Sequence, residues 1–353
     1  MRRGSRAAIL LTAAVIVSVV LTIVLSYGLG QRTPSRPTEG RGTSAAPVSR
    51  AALGVQSHSM READRFGAWV GRPVKYVVLY NDSSTWTNLE HPWFLGAEDP
   101  DQDWAKWAIK DGARRLVISQ SMVPDNPAPD WRQRGAAGEY DRHWQVFAAS
   151  LVDAGIREVV VRLGWEMNTG SFPGHYIGPT ELDTAAWKNY FRRIVEVTRS
   201  ATGIRILFDW NPNARSGDVP FSDYYPGNDV VDIVGLDVYD TSYGQDLVDP
   251  RRRWQELLHA RGGLAEFIAF SKDHGKPMSF PEWALVAPGN PAGSNGAGDN
   301  PYFVDAMATT VSTNNVAYQA YYNVPGGGVE MTLYDAPQSR EVFRRRFGPQ
   351  GDA

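Results

Sequence analysis

The feature that most constrains how this chain can fold is a recurrence. Beyond residue 50, eight short apolar runs alternate with segments of helical spacing. The runs are Leu53 to Ser57, Tyr76 to Tyr80, Arg115 to Ser119, Glu158 to Leu163, Arg205 to Asp209, Val231 to Leu236, Pro277 to Phe280 and Ala317 to Tyr322. Nearly continuous Val, Ile, Leu, Tyr and Phe in so short a run is how strands buried on both faces read. Helical spacing is clearest over Asp141 to Ala154, Thr184 to Ser200, Leu264 to His274 and Tyr302 to Thr313. In the second of these, Trp187, Tyr190, Phe191, Ile194, Val195 and Val197 approximate one face, while Lys188, Arg192, Arg193 and Glu196 occupy much of the other. Strands alternating with helices predict a parallel sheet, and eight such units predict closure into a (β/α)8 TIM barrel over residues 51–353. Gly-rich and Pro-rich pieces fall after strands, at 123–138 and 288–301, and are expected as loops of the barrel's rim.

The first 50 residues read differently. Arg2, Arg3 and Arg6 precede a run from Ala7 to Leu25 in which only Thr12, Ser18 and Thr22 are polar and none is charged. That run is long enough to span a bilayer, with its basic flank on the inner side. Residues 1–30 are therefore expected to be a signal anchor or signal peptide with a transmembrane helix. No small-residue cleavage site follows closely, which favours an uncleaved anchor. Residues 31–50, rich in Pro, Ser, Thr, Gly and Arg, read as a flexible stalk. The domain beyond is expected outside the cell membrane on a single-pass anchor, or secreted if the segment is cut.

Charge and residue usage narrow the chemistry. The formal net charge is -3, but residues 1–50 hold seven of the 36 basic and one of the 39 acidic residues, which leaves the rest with about nine excess negative charges. Such a surface opposes nucleic acid and anionic lipid. There is no Cys, so no disulfide framework, thiolate nucleophile or thiolate metal site exists. The six His lack the His-Glu-x-x-His spacing of a zinc site, and the chain lacks a phosphate-cradling Gly-x-x-x-x-Gly-Lys loop, a Gly-x-Gly-x-x-Gly turn and a Gly-x-Ser-x-Gly elbow. Glu98, Asp99, Asp101 and Asp103 could hold calcium, but read more simply as a solvated loop or helix start. No cofactor and no metal are expected.

Two glutamates stand out against this background. Glu166 follows the fourth apolar run in Val161-Arg162-Leu163-Gly164-Trp165-Glu166-Met167-Asn168, and Glu282 follows the seventh in Phe280-Pro281-Glu282-Trp283. In a (β/α)8 barrel the C-terminal strand ends form one rim, so these two carboxylates can converge over one pocket. Paired carboxylates beside aromatic surfaces suit glycosidic bond cleavage, in which one group protonates the leaving oxygen while the other attacks or stabilises the anomeric carbon. Tyr239, after the sixth run, could hold a neighbouring carboxylate ionised or satisfy its hydroxyl on the backbone. Arg162, Trp165, Asn168, Trp210, Trp283 and Tyr322 are candidates for binding the sugar, although such aromatics are also ordinary core residues.

Taken together, these pieces resemble glycoside hydrolase family 26 of the retaining clan A barrels. The resemblance lies in Gly138-Glu139-Tyr140-Asp141, in the segment Val161 to Asn168, in Asp209-Trp210-Asn211-Pro212-Asn213, in Tyr225-Pro226-Gly227 running into Val231 to Asp240, and in Lys276-Pro277 leading to Glu282. It implies a mannanase-like retaining glycosidase with Glu166 as general acid/base, Glu282 as nucleophile and Tyr239 positioning the nucleophile. Trp165 stands where the family usually has His, and Tyr321-Tyr322-Asn323 where it usually has Trp at the end of the eighth strand. The expected partner is a β-linked polysaccharide or cell-wall glycan. The alternative is a membrane-tethered barrel that binds glycan without cleaving it, since an aromatic rim alone can hold sugar.

Overall fold

The computed structural model describes residues 51–217, 219–242, 249–289, 295–324 and 330–349. Eight parallel strands close into a barrel: β1 (Ala52–Gln56), β2 (Tyr76–Tyr80), β3 (Arg115–Gln120), β4 (Glu158–Leu163), β5 (Arg205–Trp210), β6 (Ile233–Gly235), β7 (Met278–Val286) and β8 (Val316–Tyr322). Neighbours in sequence are neighbours in the sheet, and β8 pairs with both β7 and β1, which leaves this sheet no free edge along the ring. The register is fixed by pairs such as Gly54 with Ala320, Val117 with Val160 and Val234 with Met278. Between β7 and β8 the register shifts twice, between Val316 and Tyr318 and between Gln319 and Tyr321. Two sequence expectations change here. The seventh strand runs on past Phe280 to Val286, so Glu282 lies within it, and the loop expected at 123–138 contains a helix, Trp131–Ala136.

Strand alternation divides the core in two. Val78, Val117, Val160, Ile233, Tyr318 and Ala320 fill the barrel's interior, with Tyr76 stacked on Tyr318 at 4.7 Å between ring centroids. Their strand neighbours, such as Val77, Leu116, Val159 and Phe208, face the helices in a much larger apolar layer. Two residues further along the inward face, Val117 gives way to Ser119, Val160 to Arg162 and Leu207 to Asp209, and these three polar residues are fully buried. The interior therefore passes from apolar to polar toward the C-terminal strand ends.

The helices form where the sequence spacing places them. Asp141–Asp153, Glu181–Ser200, Leu264–His274 and Pro301–Thr313 match the expected segments within a few residues. Thr180 caps the longest by accepting from the Asp183 amide, and that helix buries Trp187, Tyr190, Phe191, Ile194 and Val195. Among the described residues no helix is long and apolar enough to cross a membrane. The expected anchor at 1–30 and stalk at 31–50 lie outside the described residues.

Candidate active site

The polar layer at the strand ends is organised round one buried guanidinium. Arg162, near the end of β4, donates from Nε to Asn211 Oδ1, from Nη1 to Ser119 Oγ (2.8 Å), and from Nη2 to both Asp237 Oδ2 and Glu282 Oε1, each at 2.7 Å. A charge this deep is tolerated only where its donors are paired and counter-charges stand beside it. Here two carboxylates do so. Glu282, 6 % exposed, also accepts from the Tyr239 hydroxyl at 2.6 Å on its other oxygen. Both oxygens of Glu282 thus receive donors.

Glu166 is set differently. The chain leaves β4 through Gly164 (φ 58°) and passes through Glu166 itself in the left-handed region (φ 52°). This is a costly conformation for a glutamate. The Glu166 amide donates to the Asn211 carbonyl at 2.7 Å, which holds the turn in place, and the Asn213 side-chain amide donates to Glu166 Oε1. Burial, and then the charge of Glu282, push the Glu166 carboxyl up to about 7, against the Asn213 hydrogen bond and Arg162, which pull it down. A carboxylate oxygen from each of Glu166, Asp237 and Glu282 lies within 4.8 Å of the others. That spacing alone could gather round a cation, but the Arg162 guanidinium already bridges Asp237 and Glu282. What the arrangement offers chemically is one carboxyl able to carry a proton near neutral pH beside a second that accepts a hydrogen bond on each of its oxygens.

The other sequence candidates divide. Trp165, 7 % exposed, lies at the mouth, its ring 5.6 Å from that of Tyr80 and 5.8 Å from the Arg162 guanidinium carbon. The half-buried Tyr322 sets its ring edge-on to Tyr239 at 6.4 Å, and burial, then the nearby carboxylates, push its hydroxyl up to about 12. Four candidates for sugar binding must be corrected. Trp210 is fully buried among Phe221, Tyr224, Tyr225 and Phe270 in the helix layer. Trp283 is fully buried against Phe343 and Phe347, and its indole donates to Gln319 Oε1. Arg162 has no exposed surface, so it holds the site rather than the sugar. Asn168 clamps the turn after β5, donating to the Asn213 and Ser216 carbonyls and accepting from the Asn213 amide.

Sequence reasoning passed over Asn213, Asp237, Ser119 and Tyr80 as individual groups. Asn213 and Asp237 lie in Asn211-Pro212-Asn213 and Leu236-Asp237-Val238-Tyr239, immediately beyond β5 and β6. Polar residues directly after a barrel strand are the signal that could have found them.

Comparison with known proteins adds a family to this geometry. Residues 146–274, which carry Glu166, Asn213, Asp237 and Tyr239, match the model of Glycosyl hydrolase family 26. No curated protein matches the chain. Solved structures similar in fold include a modular endo-β-1,4-mannanase from Cellulomonas fimi (16 % identity, TM-score 0.59, covering 85 % of this chain and 71 % of that one). Others are the catalytic domain of a family 26 endo-β-1,4-mannanase from Bacillus sp. JAMB-750 (16 %, 0.57, 85 % and 87 %) and a family 26 β-mannanase from Bacteroides ovatus (13 %, 0.58, 85 % and 88 %). The family match thus falls on the segment that bears these polar residues, and the solved structures share the barrel fold that gathers them.

Proposed function

We propose that the protein is a retaining glycosidase that cleaves β-linked glycan of the mannan type by double displacement. The observation that carries this reading is the contrast between two close carboxyl groups: Glu166 raised to about 7 and Glu282 held by Arg162 and Tyr239, with oxygens within 4.8 Å. Inverting enzymes leave roughly 6.5 to 9.5 Å between their carboxyl groups to admit a water, whereas retaining enzymes set them at about 5 to 5.5 Å. The close pair supports retention. The mannanases similar in fold support β-1,4-mannan as the substrate.

In this reading, Glu282 attacks the anomeric carbon as Glu166 gives its proton to the glycosidic oxygen, and the carbon–oxygen bond breaks. The leaving sugar departs as an alcohol, and a glycosyl ester on Glu282 remains. Glu166, now ionised, takes a proton from water as the water oxygen attacks the anomeric carbon. The ester bond breaks, Glu282 is freed, and Glu166 has its proton back. Tyr239 and Arg162 stabilise the Glu282 carboxylate before and after the covalent stage. We also propose that the domain lies outside the cell membrane, on the anchor and stalk read from residues 1–50.

The test is a pair of variants. Glu282→Ala is expected to lose turnover on every substrate, because no covalent intermediate can form. Glu166→Ala is expected to keep the first step on aryl β-mannosides with a good leaving group, and azide should then release a glycosyl azide of retained configuration. An azide product of inverted configuration, or a fluorosugar label found on Glu166, would exchange the two roles. A wild-type protein that binds mannan but releases no reducing ends from it, or from xylan or mixed-linkage glucan, would make it a binding barrel.

A further inference from the structure

Trp93 lies in the stretch after β2 and is 46 % exposed. Its indole N–H donates to the Tyr80 carbonyl at 3.2 Å, and Tyr80 is the last residue of β2, so the ring is fastened at the barrel's mouth. The next residue, Phe94, is fully buried, stands edge-on to Trp93 at 5.5 Å, and accepts at its carbonyl from the Trp104 amide. An exposed aromatic side chain is ordinary by itself. This one has used its single polar atom to fix its own orientation, so its free face is presented with little ordering still to be lost on binding.

Tyr80, whose carbonyl holds Trp93, sets its own ring beside the site, 6.0 Å from the Arg162 guanidinium carbon. The Tyr80 ring lies 5.6 Å from that of Trp165, and Trp165 lies 5.6 Å from Phe172, itself 38 % exposed. Three rings, those of Tyr80, Trp165 and Phe172, therefore run from the end of β2 to the stretch after β4, with Glu166 next in sequence to the central one, and Trp93 is tied to the first of these residues through its backbone carbonyl. Pyranose rings present C–H faces that bury well on such surfaces, and repeating sugars in one chain can meet successive rings.

We propose that Trp93 is a stacking platform for a sugar unit remote from the cleaved bond, so that the enzyme reads several consecutive units of a glycan chain rather than a single terminal one. This rests on the glycosidase reading above and adds to it a subsite and a preference for longer chains. The experiment compares wild type, Trp93→Ala and Trp93→Phe on mannohexaose and on 4-nitrophenyl β-mannoside. Trp93→Ala is expected to raise KM for mannohexaose about tenfold, the scale of one lost aromatic contact, with kcat nearly unchanged. The aryl mannoside, too short to reach the platform, should be cleaved as by wild type, and Trp93→Phe should recover most of the loss. Calorimetry of mannohexaose on Glu282→Gln, with and without Trp93→Ala, reads the platform without turnover. A tenfold weaker affinity in the double variant supports it even if wild type cleaves nothing, in which case the hydrolase reading alone falls. Equal affinities, no binding of mannohexaose by either protein, or equal losses on the long and short substrates would overturn the platform while leaving the assignment of Glu166 and Glu282 intact.

Discussion

At the scale of single residues, Glu166 carries the strongest pH signature. Burial raises its carboxyl first and the Glu282 charge adds to this, reaching about 7, while Asn213 opposes both by donating to the ionised form. A general acid works protonated, so kcat/KM should fall as pH rises through about 7. Replacing Asn213 by Ala removes a donor that favours the anion, which raises the Glu166 pKa further. The alkaline limb of the profile should move to higher pH in Asn213→Ala, and a limb that stayed in place or moved down would show that Asn213 does not tune this proton. The backbone contributes as well. With Gly164 and Glu166 both at positive φ, the alternation of the strand is broken, which is how Trp165 can reach the mouth although it adjoins Glu166.

Elements show where sequence reading succeeded and where it stopped. Apolar runs marked all eight barrel strands because each is buried on both faces, and a closed ring makes every one of them necessary. Glu166 and Tyr239 were legible as polar residues just beyond apolar runs, and Glu282 as one after Pro277 to Phe280, although the strand continues through it to Val286. Trp210 and Trp283 were misread because adjacency in sequence was taken for adjacency in space. Residues next to each other in a strand face opposite ways. Since Asp209 and Glu282 face inward, Trp210 and Trp283 must face the helices, a conclusion the strand period already contained. Asn213 and the Arg162 cluster could not be read off, because their partners come from different strands and local pattern carries no such pairing. Helix packing offers its own test. A methyl group on Gly135 would meet the Tyr190 ring at 2.5 Å, where helix Trp131–Ala136 crosses helix Glu181–Ser200. The Tyr190 ring is held by hydrogen bonds to Met122 and Trp144 and has little room to yield. Gly135→Ala should therefore destabilise the protein by roughly 1 to 3 kcal/mol, measured as a shift in the chemical denaturation midpoint, and an unchanged midpoint would mean that this crossing is looser than its distances indicate.

For the molecule as a whole, the proposed anchor and stalk at residues 1–50 and the barrel beyond them lead to separable predictions. A protein of residues 51–353 should fold and retain glycosidase activity, while the full-length chain should sediment with membranes after cell fractionation. Recovery of the full-length chain from the soluble cytosol would refute the proposed location. Within the barrel, the buried guanidinium of Arg162 reaches groups on β3 and β7 and in the segments just beyond β5 and β6. Neutralising any one of these partners leaves charge or donors stranded in the interior, so their substitutions should be strongly non-additive. Exposed rings such as Trp93 and Phe172 carry no charge, and Trp93 leaves at most one backbone carbonyl, that of Tyr80, without its donor. Natural or laboratory variation therefore has two unequal routes: a new glycan can be accommodated by single steps at the rim, whereas the chemistry can change only through several simultaneous replacements around one cation.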